Sequence, residues 1–468
     1  MTETPEDPKT VSRRSVLRGV GYGAALAAAT PILAACSSGS GGGSTPTSPS
    51  PGDTANSPSG KIVIGSFQDP AMKPFREVYV KKFTEQTGIQ VDYQETAYDT
   101  WYQNSKSDGL QKTGAYDIYV MDDNWVPEYA AGGIIQSLDK LGLKVNPNIL
   151  PKGLDQGYWP PRSGPKLAAF KDATPELYAL VIIDDVNMLY YNKNYFSAPP
   201  KTWDDLYTAM KSKATPPNLY GWAARGVKGN PVVMTYLPLL NSYGGNFAND
   251  DWTPGFAGAE GVGALERLMS FLPYMSPSTP EMDTDQETGL LLQGKAMALT
   301  EYTGTAVSAV DNPDSSKVVG MIDFATTPSE VKAGPAIGTF ICGIASGAPN
   351  VEAAKAFLEW FTSDEIQTDF ARSGGSAAVT STALSDSEAV SKYRWLPAIA
   401  DSVNNAVPKP RTPDEPKFED ILGTQINLAI VEALAQKGNY TQIATAHLKT
   451  AADQMQAVLD QNKTVYFG

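Results

Sequence analysis

Apolar residues fall into regular patterns from Lys61 onward. Ile62-Val63-Ile64 reads as a short buried strand. Phe75, Val78, Tyr79 and Phe83 recur at helical spacing, and Gly88 stops that helix. Ile89, Val91 and Tyr93 alternate as a strand. A helix is predicted around residues 100–112, and Asp117-Ile118-Tyr119-Val120-Met121 reads as another buried strand. Strands separated by helices in this way predict an α/β layer with a mostly parallel sheet. Leu180-Val181-Ile182-Ile183 and Met188-Leu189-Tyr190-Tyr191 are two further apolar runs, with Asp184, Asp185 and Asn187 between them. Ala296-Met297-Ala298-Leu299 follows a Gly294-Lys295 turn, and Ile337 to Ala345 reads as one long strand. A helix carrying Ala353, Phe357, Trp360 and Phe361 on one face comes next, and Thr362-Ser363-Asp364-Glu365 fits a capping box for its successor. Ile426, Ile430, Ala433 and Leu434 mark a later helix that Gly438 ends.

The N-terminal residues follow a different pattern. Ser12-Arg13-Arg14-Ser15-Val16-Leu17 holds an arginine pair and precedes a weakly apolar stretch from Gly19 to Ala35. Leu33-Ala34-Ala35-Cys36 closes it and resembles the lipobox of bacterial lipoproteins. The stretch is short and glycine-rich for a membrane span, which needs about 20 strongly apolar residues. Residues 1–36 are therefore expected to be a twin-arginine export signal ending at a lipidated Cys36, with the protein on the outer face of the cell membrane. Residues 37–60 are almost wholly Gly, Ser, Pro and Thr and read as a flexible tether, reaching roughly 25–30 Å.

Charge and rare residues narrow the function. The 468-residue chain has a formal charge of −14 and a pI near 4.7, which argues against nucleic acid as a partner. With Cys36 lipidated, Cys342 stands alone in an apolar run and is expected to be a buried packing residue. His447 is the sole histidine, which excludes multi-histidine metal sites and disfavours Ser–His or Cys–His catalysis. It falls in a helical pattern whose apolar face is Leu448, Ala451, Met455 and Leu459. No cofactor is expected.

Leu189-Tyr190-Tyr191-Asn192-Lys193, followed by Pro199-Pro200-Lys201-Thr202-Trp203-Asp204-Asp205-Leu206, resembles the extracellular solute-binding proteins of family 1. These are sugar-binding receptors of ATP-binding-cassette (ABC) importers and include the maltose-binding proteins. The resemblance continues in order through Asp117 to Trp125 with Gly132-Gly133, Tyr243-Gly244-Gly245, Gly294-Lys295-Ala296-Met297, and Ala353 to Trp360. It implies a two-lobed periplasmic-binding-protein-like fold with a hinge and an interlobe ligand cleft. Lobe one would be 61–182 plus 336–378, and lobe two 185–332 plus 382–468. It also implies a monomer that passes its ligand to ABC permease subunits. The binding loops differ too much from the maltose receptors to carry over maltose specificity, and Met121 replaces an aromatic at one cleft position.

Matched position by position, the resemblance implies cleft roles for Gln68 and Asp69, for Asp123, Asn124 and Trp125, for Asp185, for Glu301 and Tyr302, and for Thr339. Aromatic faces would pack on a sugar's C–H surface while planar polar groups meet its hydroxyls. Other readings stay open: Asp69 as a helix cap, Trp125 as lobe core, and Asp184-Asp185 as a solvated hinge pair. Arg225, in the Gly- and Pro-containing loop Trp222–Pro231, could clamp hydroxyls, a carboxylate or a phosphate, or tie down a surface loop. Arg411 lies where related receptors supply further cleft groups. A sugar, oligosaccharide or polyol receptor without a chemical step is the leading expectation. An extracellular glycan-processing enzyme, an adhesion lipoprotein and a receptor for a non-sugar ligand such as a glycerophosphodiester are the alternatives.

Overall fold

The computed structural model describes residues 60–307, 309–375 and 378–468. The expected export signal, Cys36 and the expected tether up to residue 59 lie outside the described residues.

Strands β1 (Lys61–Phe67), β2 (Gln90–Thr96) and β3 (Ile118–Asp122) form the parallel part of the first sheet, with β1 between the other two. The predicted helix after β1 begins as a π-helical turn at Phe75–Tyr79 and runs on through Val80–Thr87. Gly88 ends it at φ 77°, a left-handed conformation that glycine adopts without a Cβ penalty. The helix between β2 and β3 spans Tyr98–Gln111.

A short hairpin, β4 (Tyr158–Trp159) and β5 (Glu176–Leu177), precedes β6 (Ala179–Ile183). The chain then crosses to a second, antiparallel sheet. Its middle strand is β7 (Asn187–Asn192), flanked by β8 (Ala298–Tyr302) and β9 (Ile322–Ala325). It returns to the first sheet as β10 (Phe340–Ile344), which lies antiparallel between β3 and β6. The first sheet is thus parallel apart from β10, as the strand–helix alternation predicts. The strand expected over Ile337–Ala345 is shorter, because Ile337 to Thr339 belong to the crossing. There Val186 pairs with Ile337, the Gly338 amide donates to the Asp185 carbonyl at 2.9 Å, and Ala336 pairs with Val407.

The second lobe is expected to resume near 382. Thr380 pairs with Ile149, Thr382 donates to Asp364 at 2.6 Å, and Asp386 is salt-bridged to Arg372 at 2.7 Å, so this segment stays against the first lobe. Arg394 is tied to the second sheet, donating to the Ile322 carbonyl at 2.8 Å. The helix Asp364–Arg372 is capped by Ser363 alone, while Thr362 bonds back to Leu358. His447, half-buried, links two antiparallel helices through Gln425 and Glu432, and Cys342 is fully buried.

Candidate ligand-binding site

Two adjoining cavities of about 580 Å³ and 160 Å³ lie between the lobes and share Asp122 and Asn230. On the first-lobe side of the larger one, the helix Tyr98–Gln111 places Tyr98 and Tyr102 one turn apart. β3 ends at Asp122, and the following 3-10 turn Asp123–Trp125 brings Asn124 and Trp125 to the same wall. Trp125 packs edge-on against Tyr98 and Tyr102, with ring centres 5.1 and 5.0 Å away. Its indole N–H donates to the Tyr98 hydroxyl at 3.1 Å, and that hydroxyl donates to Asp122 at 3.0 Å. The relay fixes both an aromatic surface and a carboxylate.

The facing wall comes from the second lobe. Gly229, at φ 87°, turns the chain into the helix Asn230–Ser242, so Asn230 stands at its first turn. The Asn230 amide donates to Glu419 of the helix Glu415–Gln436 at 2.9 and 3.1 Å. Asp420 lines the same mouth.

The smaller cavity holds Asp185, Arg225, Tyr302 and Lys409. Asp185 is buried and accepts from Thr303 at 2.7 Å and from the Gly304 amide at 2.8 Å. Arg225 arrives by register. Tyr220 pairs in parallel with Ala296 and Ala223 with Leu299, so the same offset sets Arg225 beside Glu301. Its Nε lies 3.2 Å from Glu301 and 3.8 Å from Glu287, both carboxylates being fully buried, and its guanidinium sits 5.6 Å from the Tyr302 ring centre. Lys409 reaches Glu419 at 2.8 Å and Glu415 at 3.1 Å. Both cations therefore have carboxylate partners already.

The remaining expected residues lie around this centre. Gln68 is exposed at the end of β1 and lines neither cavity. Asp69 caps a short 3-10 turn, accepting from the Ala71 amide at 2.7 Å. Glu301 sits behind Arg225. Thr339 is buried, its carbonyl accepting from the Asp123 amide at 3.1 Å. Arg411 donates to the carbonyls of Asp123, at 2.9 Å, and Gln156, so it locks the 407–413 segment against the first lobe. Asp123, which lines neither cavity, and Asn124, which lines the larger one, each keep one buried oxygen without a partner among the described residues. Asp184 and Asp185 are both buried, so the solvated-pair reading does not describe them.

Sequence reasoning passed over Tyr98, Tyr102, Asp122, Asn230, Lys409 and Glu419. The tyrosines carried a signal, since an i, i+4 aromatic pair shares one helix face. Pro408-Lys409-Pro410-Arg411 carried another, because its prolines favour an extended segment.

Several acids here hold protons unusually well. Burial, reinforced by Asp123, pushes Asp122 up to about 7. Burial also pushes Asp185 to about 7, against its bonds from Thr303 and Gly304, and Glu415 to about 8, with Glu419 adding to it. In the unfolded chain such groups titrate near 4. Between those limits the folded form binds protons that the unfolded form has released. The resulting stability is complete below about pH 4 and is lost as pH rises through 7 to 8. The melting temperature is expected to fall between pH 5 and 8.5, and Asp185→Asn is expected to flatten the slope. A flat wild-type profile, or an unchanged slope in the variant, would contradict this assignment.

Residues 66–368 match the family model described as bacterial extracellular solute-binding protein. The chain belongs to that family. This solute-binding protein is 25% identical, over 369 residues, to a probable amino-acid ABC transporter periplasmic-binding protein of Sinorhizobium fredii, covering 75% of this chain and 80% of that one. Among solved structures, an ABC transporter solute-binding protein from Agrobacterium radiobacter K84, in complex with ribitol, superposes with a TM-score of 0.68 at 24% identity, over 85% of this chain and 98% of that one. Maltose-bound MalE3 of T. maritima gives 0.70 at 18% identity, over 86% and 100%. The two-lobed fold of the solute-binding protein is thus that of the periplasmic binding proteins, and its family is one of binding proteins rather than catalysts.

Proposed function

We propose that this protein captures a sugar or polyol in the interlobe cavity and delivers it, unchanged, to the membrane subunits of an ABC importer. It would act as a monomer held on the outer face of the membrane by acyl chains on Cys36, after twin-arginine export. The carrying observation is the aromatic surface of Trp125, Tyr98 and Tyr102 on one lobe, faced across the cavity by Asn230 and Glu419 on the other. Aromatic rings accept C–H faces, and amides with carboxylates meet hydroxyls from both sides. Lobe closure around such a ligand is a hinge motion about the paired crossings at 184–187 and 335–339. Lobe limits of 61–183 with 340–393, and 187–335 with 394–468, fit those crossings. The ribitol and maltose complexes of fold relatives support the carbohydrate reading. The glycerophosphodiester alternative finds less support, because Arg225 and Lys409 are each held by two carboxylates.

A thermal-shift panel of mono-, di- and oligosaccharides, polyols and glycerophosphodiesters tests this on the full chain. A ligand at about 100 times its Kd adds roughly 2.7 kcal/mol to native stability. The expected result is a shift with one carbohydrate class, recovered intact. A shift only with phosphodiesters, or consumption of the sugar, would overturn the proposal.

A further inference from the structure

The charge inventory of the cavity is one-sided. Asp99, Asp122, Glu128, Glu419 and Asp420 line its larger part, and among the described residues no lysine or arginine does. Glu128 has Lys106 as a partner and Glu419 has Lys409. Asp99, Asp122 and Asp420 have no cation within salt-bridge distance among the described residues. Deeper in, Arg225 and Lys409 are each shared between two carboxylates, so neither has charge to spare. Asp122 stands where the two cavities meet and is oriented by Tyr98, which packs on Trp125. Above pH 7, where Asp122 is mostly ionised, a hydroxyl could bond to this carboxylate but would not supply a countercharge. An ammonium would pair with it and be attracted by the neighbouring aromatic rings as well. The two acids at the exposed mouth would draw a cation inward and repel an anion.

We propose that the cargo carries a basic amine alongside its hydroxyls, as an amino sugar or amino polyol does, and that Asp122 receives the amine. This rests on the cavity being the carbohydrate site argued above. It also separates the cargo from an ordinary α-amino acid, whose carboxylate would need a free cation.

Calorimetric titration of the full chain at pH 8 with charge-matched ligands tests it. One set is sorbitol, 1-amino-1-deoxysorbitol and gluconate, which differ at one terminus. A second is cellobiose against the glucosamine disaccharide. In at least one set the amine is expected to bind about ten-fold more tightly than its neutral match, the magnitude of one charge-assisted hydrogen bond. Gluconate is expected to bind more weakly than sorbitol. Raising the ionic strength should erode the amine advantage, and Asp122→Asn should bring the ratio towards one. Asp420→Asn, at the exposed mouth, should reduce it in part and provides the test if Asp122→Asn fails to fold. Neutral ligands binding as tightly as their amines would overturn the amine assignment and leave the carbohydrate site standing. Absence of binding by every member of both sets would overturn both.

Discussion

Trp125→Ala is expected to weaken ligand binding by about a hundred-fold, roughly 2.7 kcal/mol, the scale on which a well-packed aromatic anchor acts. The same change is expected to cost the fold about 3–5 kcal/mol, because the indole is only 4% exposed and packs against Phe67, Tyr98 and Tyr102. It would also free the Tyr98 hydroxyl from its donor and loosen Asp122. Trp125→Phe keeps a ring but not the N–H, so its loss of stability should be smaller. Calorimetry on folded variant, with denaturant titration alongside, separates the two costs. A destabilised variant that still bound with wild-type Kd would make Trp125 a core residue alone.

Arg225→Met is expected to lower stability by about 3–5 kcal/mol, since Glu287 and Glu301 would remain buried without their cation. The effect should depend on pH in a definite direction. Burial, followed by Glu301, already holds the Glu287 carboxyl well above its usual range, with Arg225 opposing the rise. Without the guanidinium Glu287 loses the charge that opposes its protonation, so the variant should recover stability as pH falls and lose it as pH rises. Adding Glu287→Gln and Glu301→Gln should restore most of the loss. Denaturant titrations at pH 5 and 8 measure this, and a deficit below about 1 kcal/mol at pH 8 would show that the cluster is not the tie described.

The parts legible from sequence were those written in local pattern. Three alternating strands and helices of the first lobe, the Gly88 stop and the buried setting of Cys342 follow from periodicity and composition alone. The return to the second lobe depends on long-range contacts, such as Arg372 with Asp386, that leave no periodic trace, so local pattern does not fix a boundary near 382. The site divides similarly. Asn124, Trp125, Asp185, Arg225 and Tyr302 line the adjoining cavities. They stand next to strand ends or in a marked loop, where motif and pattern guide the eye. Asn230, Lys409 and Glu419 reach the same place from helices and a proline-rich segment remote in the chain, and only the packing of the lobes brings them there. Arg411 was legible as a residue near the cleft, but its contacts with backbone carbonyls of the first lobe were not.

The position of β10 also bears on biosynthesis. The strand fills the gap between β3 and β6, pairing Phe340–Ile344 with residues 118–122 on one side and 179–183 on the other. Until Ile344 has been made, these two edges have no shared neighbour, and the first lobe cannot close its core. The second sheet, which uses residues 187–192, 298–302 and 322–325, has all its strands before β10 emerges. Contacts this distant along the chain carry a large loop-closure cost and slow folding. The nascent N-terminal half thus stays incomplete for most of translation, with its apolar strand edges in need of protection from aggregation.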